Sequence, residues 1–504
     1  MSINSDALPS RTRPTIPGRV LSFLRTAAAW VWRLGDRTRP VSVLAVAASA
    51  MLLVQLGRTI HDVDIFWQLK LGELTLTNGL PKTEPFLAGK EHDPLTAVAW
   101  LAQVVYAATK QVGGWTLLWL VDALVWFGGF AVVATACGRN ARNVWPATVG
   151  LWVGWLAAVP SASVRPQSFA ALAFGLLVVL MRSNLGVRCT AILGGTLFVA
   201  WQNLHPSVAV GGGVVFATVL AEAVMFWRSR RPTFPWRLVV LLPLAGLSTL
   251  ATPAGFDIYR ISAVNADVSR YLDVAEWLPL TWEPLQYGRP FAWGALFATI
   301  VSIAIRGRNL RAGTLAVFLT LTAAMLLSHR FVLFWGIAVI PVWVELLSPA
   351  SDLPPEQGRS RWRRPFAVLF VIVGIGYPTC SHPVPFANYY PFAGLCALRE
   401  SGVRGTVYTS YCWGGLVSEA GYPNWRVTRD GRYYLFSRRE WDEYFAEVSD
   451  ATSLGPILAK HQPAAFFLRP SFEDRLISLL AADPHWRELY ADDNCVVYVL
   501  ASIR

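Results

Sequence analysis

The sequence predicts a multi-pass α-helical membrane protein of about 11 spans, followed by a small C-terminal α/β domain. Three observations carry that expectation. The 504 residues are 54% hydrophobic and 15% charged, where an average soluble chain has roughly 25% charged residues. Apolar runs recur from residue 41 to residue 379 at lengths that suit membrane helices. Beyond them, short β-rich runs alternate with amphipathic stretches. This composition excludes an ordinary cytosolic enzyme and a disordered chain. The net charge of +12 reports orientation in such a protein, and nucleic acid is not an expected partner. Six cysteines without a C-x-x-C pair form no disulfide framework.

Residues 1–40 hold Arg11, Arg13, Arg19, Arg25, Arg33, Arg37 and Arg39 against Asp6 and Asp36. No small-residue cleavage site follows a short apolar core, so this reads as a retained basic cytoplasmic tail. An interfacial helix is expected around Ala27–Leu34. The transmembrane domain then covers residues 41–379. Spans are expected at about 41–57, 115–137, 144–162, 168–181, 189–204, 207–227, 238–254, 290–305, 312–328, 331–347 and 365–379.

Basic residues test the count. Arg139 and Arg142, Arg182 and Arg188, then Arg228, Arg230, Arg231 and Arg237 fall in alternate loops. Arg306, Arg308 and Arg311 follow, then Arg359, Arg361, Arg363 and Arg364. Every second loop is basic, as the positive-inside rule requires. The register demands that Thr96–Gln111 lie at, or dip into, the outer surface. The N-terminus is then inside and the C-terminus outside. The outer face carries a first loop at 58–114, a second at 255–289, and a domain at 380–504. In that domain Gly405–Thr409, Trp425–Thr428, Ala464–Leu468 and Cys495–Leu500 read as strands. Arg439–Val448 and Phe472–Ala482 read as helices, and the alternation suggests parallel strands. Cys380, Cys396, Cys412 and Cys495 fall outside, where a disulfide is permitted. Cys137 and Cys189 read as packing residues.

The first outer loop opens with His61, Asp62, Val63 and Asp64. Two carboxylates two residues apart can hold a hard divalent cation such as Mg or Mn, with water and phosphate oxygens completing its shell. One of them can instead accept a proton from an acceptor hydroxyl. A third reading is a solvated pair capping a helix that starts at Ile65. Lys70 follows in the same segment. Arg165, His205, His329 and Arg330 sit at outer helix ends, and the second loop supplies Asp257, Arg260, Glu276, Trp277, Trp282 and Glu283. Arginine pairs bidentately with phosphate, and tryptophan stacks on sugar faces or sits in the interfacial belt. Each residue also has a plain helix-end or snorkelling reading. The ionisable residues read as lying within spans are Glu222 and Glu345, both near cytoplasmic ends. Polar groups therefore gather at the outer rim, which argues against an ion pathway and against a transporter. The substrate this arrangement suits is a lipid with a charged head, such as a polyprenyl-phosphate sugar.

With these residues placed, the chain resembles the bacterial GT-C glycosyltransferases, in particular a branch with a C-terminal extracytoplasmic α/β domain. The pieces that carry the resemblance are Asp62–Glu73, Pro81–Phe86, Arg165-Pro166-Gln167, Trp201–His205 and Ala275-Glu276-Trp277. In the tail they are Tyr411–Leu416, which includes Trp413, and Asp430-Gly431-Arg432. Their order and spacing carry the assignment, which runs from about residue 41 to the end. The resemblance implies a bacterial plasma-membrane enzyme of the cell envelope. It would transfer a sugar from a polyprenyl-phosphate donor to a glycan, lipid or protein acceptor. Asp62 and Asp64 would serve as base or metal ligands. His61, Lys70, Arg165, His205, Arg260, Glu276, Trp277 and Arg330 would contact donor or acceptor. Trp413, Asp430 and Arg432 would either recognise a substrate or dock the domain on the bundle. The sequence departs from the branch at two places. Trp67-Gln68 stands where Trp-His is usual, and Val98-Ala99-Trp100-Leu101 stands where His-Glu-Trp-Leu is usual. These changes open a second function: a catalytically inactive protein that binds a lipid or a partner subunit.

Overall fold

The computed structural model describes residues 39–138, 145–281, 289–307, 310–348 and 386–502. The expected interfacial helix at 27–34 and the span at 365–379 lie outside them, as do Trp282, Glu283 and Cys380. Helix α1 (Arg39–Leu56) leads into the first loop, where α2 (Ile65–Asn78) begins directly after the two aspartates. Helix α3 (Trp100–Gly138) is continuous except at Gly113 and Gly114, where the backbone leaves helical geometry. Gly114 has φ +62, a conformation that glycine adopts without steric penalty. The break separates Trp100–Val112 from the long apolar remainder, where the sequence required a non-crossing stretch to end.

The bundle continues with α4 (Trp145–Ala158), α5 (Gln167–Arg182), α6 (Val187–Leu204) and α7 (Val208–Trp227). Two short helices follow, α8 (Trp236–Val239) and α9 (Leu241–Leu247). Then come α10 (Asp257–Tyr271), α11 (Arg289–Arg306), α12 (Ala312–Leu327) and α13 (Val332–Leu347). The segments Trp100–Gly138, Val208–Trp227 and His329–Leu347 are long and apolar enough to cross a membrane, and shorter apolar helices pack beside them. The chain is a membrane protein.

Its helices meet through small residues. A Cβ on Gly129 would lie 2.2 Å from the Ala171 carbonyl oxygen, and one on Gly175 2.3 Å from that of Gly129. Gly154 and Gly336 relate α4 to α13 in the same way, at 1.9 and 2.5 Å. Apolar surface gains little from burial when the solvent is lipid, so close backbone approach supplies the packing instead.

One expectation about the spans is corrected. Asp122 lies inside α3 and is buried, so Glu222 and Glu345 are not the only carboxylates within the helices. The Tyr106 hydroxyl reaches both the Asp122 carboxylate and the Arg165 carbonyl oxygen. A buried polar group is retained where it has partners, and here it supports the turn that carries Arg165.

The C-terminal domain runs from α14 (Phe392–Glu400) through β1 (Gly405–Thr409), α15 (Gly414–Gly421) and β2 (Trp425–Val427) to α16 (Arg438–Ser449). It ends with α17 (Gly455–His461), β3 (Pro463–Leu468), α18 (Asp474–Ala482), β4 (Trp486–Ala491) and β5 (Val496–Leu500). Sheet order is β2-β1-β3-β5-β4. The expected parallel pairing holds for β2, β1 and β3, but β5 and β4 add on as antiparallel strands. Strand β4 was not expected: its sequence, Trp-Arg-Glu-Leu-Tyr-Ala, is largely exposed and lacks an apolar run. Helix α16 opens with a capping box, in which Ser437 and Glu440 satisfy each other's backbone N–H groups. The described cysteines 137, 189, 396, 412 and 495 are free.

Candidate active site

The first loop and the C-terminal domain are tied together next to Asp64. The Phe86 carbonyl accepts from Val427 N–H and the Val427 carbonyl accepts from Ala88 N–H, both at 2.9 Å, so the loop extends the β2 edge. Arg432 is buried. Its Nη1 and Nη2 donate to the two oxygens of Glu84 at 2.6 and 2.7 Å, and Nε and Nη2 donate to Asp430 at 2.9 and 2.6 Å. Its guanidinium lies 5.3 Å from the Trp67 ring centre and 5.4 Å from that of Phe86. A fork with planar donors suits two carboxylates at once, which an ammonium group does not match. Arg432 and Asp430 thus dock the domain on the first loop. Trp413 is buried against Tyr389 and Tyr390.

Under this contact is a cavity of about 160 Å³ between bundle and domain. Asp64, Arg165, His205, Glu276, Trp277, Arg330 and Arg432 all line it. Asp62 is buried at its edge. It accepts from the Asp64 N–H at 2.9 Å and pairs with the Arg165 guanidinium. Arg165 also donates to Glu276 at 2.8 Å, and Arg330 reaches the other Glu276 oxygen at 3.4 Å. Arg330 stacks 4.2 Å from the Trp277 ring centre. Residues from the first loop, the α4–α5 turn, the second loop and the α12–α13 turn therefore form one chain of alternating charge.

Electrostatics separate the two aspartates. Asp62 is held by a guanidinium. Asp64 has the Trp67 indole N–H at 3.1 Å and no cation within ion-pair distance among the described residues. Burial raises its carboxyl to about 7; the Trp67 bond opposes the shift, while Asp430 and Glu276 add to it. Burial would also raise Glu276, but Arg165 and Arg330 outweigh it and hold that carboxyl below its ordinary range. Burial, aided by Arg330, presses His205 down to about 3, so its imidazole is neutral. Its Nδ1 lies 2.8 Å from the Ser207 hydroxyl.

Not every expected residue reaches the cavity. Lys70 pairs with Glu73 at 3.2 Å. It lies six residues past Asp64, about 240° round the helix, and so on another face. Arg260 pairs with Asp257 at 3.2 Å on the exposed surface of α10. His61 sits beside the Thr59 carbonyl, outside the lining. In the structure the two aspartates of the expected metal pair have different partners. Both Asp62 oxygens are engaged, one by the Asp64 N–H and the other by Arg165. Among the described residues no group of three or more His, Cys, Asp or Glu side chains is arranged for a metal.

The structure adds residues. Gln68, Val98 and Ala99, the positions where the sequence departs from the branch pattern, all face this cavity. So do Gln103, Tyr433 and Tyr434. The Oε1 atoms of Gln68 and Gln103 are buried and find no hydrogen-bond partner among the described residues. Glu84 was carried by the Pro81–Phe86 segment, but nothing local pointed it at Arg432.

Fold and site define a polytopic membrane protein with a charged cavity roofed by an α/β domain. No protein-family model and no curated protein matches the chain. Solved structures do. The oligosaccharyltransferase of Archaeoglobus fulgidus in its apo form aligns with 86% of this chain and 69% of its own, at 10% identity and a TM-score of 0.54. The archaeal oligosaccharyltransferase AglB of that organism, in complex with an inhibitory peptide and a dolichol-phosphate, gives 86%, 70%, 11% and 0.51. The mycobacterial arabinofuranosyltransferase AftD gives 91%, 40%, 15% and 0.48, so the chain spans less than half of that protein. The two oligosaccharyltransferase structures carry the comparison, and the chain has the GT-C fold.

Proposed function

We propose that this protein is an inverting glycosyltransferase of the bacterial plasma membrane. It has about 11 spans, a cytoplasmic N-terminus and an extracytoplasmic C-terminal domain. The donor is a polyprenyl-phosphate sugar, and the acceptor is a glycan, lipid or protein. One observation carries the reading: a carboxyl raised to about 7 shares a cavity with the Arg165–Glu276–Arg330 ion-pair chain. A base poised near neutrality can take the proton of an acceptor hydroxyl as it attacks the sugar carbon. The bond from that carbon to the phosphate oxygen breaks, and the guanidinium groups stabilise the leaving phosphate. Glu276 holds Arg165 and Arg330 in place and lowers the net charge they present. Neutral His205 is available as a hydrogen-bond partner for donor or acceptor. Gln68 and Gln103 offer unpaired acceptors that suit sugar hydroxyls. The dolichol-phosphate in the AglB complex supports a lipid-phosphate ligand for this fold.

Purified protein with Asp64→Asn, assayed over a panel of polyprenyl-phosphate sugars, tests the reading. Transfer should fall by roughly a hundredfold or more. Undiminished transfer would sink the role of Asp64. A second reading rests on Gln68, Val98 and Ala99 facing the cavity in place of a His and a Glu. In it the cavity binds a lipid, or the protein a partner subunit, without turnover. Lipid binding with no product from any donor would favour that reading.

A further inference from the structure

The bundle has a second cavity, at the ends of the helices remote from Asp64. Helix α5 runs from the Arg165 turn to Arg182 over 16 residues, so the two ends are about 24 Å apart. The cavity there holds about 350 Å³, more than the first. Its mouth is basic: Arg182, Arg230, Arg231, Arg237 and Arg311 line it. Among the described residues, two carboxylates answer these five guanidinium groups. Glu222 pairs with Arg231, and Glu345 pairs with Arg182 at 2.9 Å and lies 3.9 Å from Arg311. Arg237 donates to the neutral carbonyls of Leu180 and Met181 at 3.0 and 2.7 Å, so its charge is not cancelled. No acidic side chain among the described residues pairs with Arg230. The mouth therefore carries a surplus of positive charge.

The floor differs in kind. Val178, Val214, Val317, Ala338 and Pro341 form it. Val214 is eight residues before Glu222 on α7, which places it about 12 Å deeper in the bundle. Trp227 and Trp236 flank the basic segment and are 69% and 64% exposed, as tryptophans at a membrane–water boundary are.

We propose that this cavity binds an anionic phospholipid, with its phosphate among the arginines and the start of an acyl chain on the apolar floor. Basic clefts between membrane helices select anionic headgroups by charge. A free phosphate would satisfy the mouth and leave the floor without a partner. The site is independent of the transferase reading, since it shares no residue with the Asp64 cavity.

Binding to the purified full chain in neutral detergent, followed by native mass spectrometry and thermal shift, tests it with phosphatidylglycerol, phosphatidylcholine and inorganic phosphate as probes. Phosphatidylglycerol should bind at least about tenfold more tightly than phosphatidylcholine. The double variant R230Q/R311Q alters two exposed side chains and should weaken phosphatidylglycerol by about tenfold or more. Val317→Trp, which fills the floor and removes no charge, should weaken it similarly. Arg330→Gln, in the other cavity, should leave it unchanged. Equal affinity for the two lipids, or undiminished binding by R230Q/R311Q, overturns the proposal. Loss caused by Arg330→Gln instead assigns the lipid to the first cavity. Inorganic phosphate binding as tightly as phosphatidylglycerol replaces the lipid with a free anion.

Discussion

Gly431 of the C-terminal domain rests directly on the carboxylate of Asp64: a Cβ at residue 431 would lie 2.1 Å from Oδ1. The domain thus closes on the first loop at an acid whose carboxyl burial raises to about 7. Any side chain at 431 must move either the acid or the roof.

Gly431→Ala should therefore damage the site more than the fold. Overpacking of this kind costs about 1–3 kcal/mol. The expected result is a small fall in melting temperature with a large fall in lipid binding or transfer. Wild-type binding and transfer in the variant would show that Asp64 need not lie where it does.

The Arg432 contact predicts the opposite pattern. Arg432→Ala leaves Glu84 and Asp430 buried without their cation, and breaking a buried ion pair costs about 3–5 kcal/mol. Limited proteolysis should cut the C-terminal domain or the first loop much faster than in wild type. Arg432→Lys should rescue only in part, because an ammonium group cannot fork to both carboxylates.

The Asp64 carboxyl sets a pH dependence. If its ionised form accepts the acceptor proton, kcat/KM rises with pH through about 7 and then levels off. Asp64→Asn should remove that limb. Stability moves the other way. A carboxyl whose folded value lies above its unfolded value holds a proton in the native state that the unfolded chain has lost. Its contribution is present at low pH, declines as pH rises from about 4 to 7, and is absent above that. Thermal melts from pH 4 to 8 should show a shallower decline in the Asn variant.

The cavity residues at 68, 98 and 99 predict a gain of function. Gln68→His, Val98→His and Ala99→Glu together would restore the residue types usual in the resembling branch, and all three positions line the cavity beside Asp64. Calorimetric titration should then detect tighter Mn or Zn binding than in wild type. Absence of binding would place the branch's His and Glu outside any metal site.

Hydropathy made the bundle legible. The apolar runs expected from 115–137 to 331–347 fall on α3 to α9 and α11 to α13, with α10 in the second loop, because the need to satisfy backbone groups in lipid acts on each helix separately. Four of the five strands were legible from β-rich runs, and β4 was not, since its pairing with β5 rather than its own pattern makes it a strand. Asp122 carries no sequence signal of its own, since it lies within an apolar run.

At the site, Asp62, Asp64, Arg165, His205, Glu276, Trp277 and Arg330 were legible as polar residues at one set of helix ends. Which of them share a cavity was not. Sequence periodicity sends Lys70 and Arg260 to the same end of the molecule, but tertiary packing turns both away. Only the fold brings Glu84 to Arg432 across 348 positions, and only the fold presses Gly431 on Asp64. Composition alone determined that this chain lives in a membrane, because transfer of each helix depends on its own residues. Among the 32 Asp and Glu residues, the tertiary structure decided that Asp62 and Glu276 are held by arginine, while neighbouring Asp64 has no cation within ion-pair distance among the described residues. Burial and charge pairing are properties of neighbours, and neighbours are set by packing.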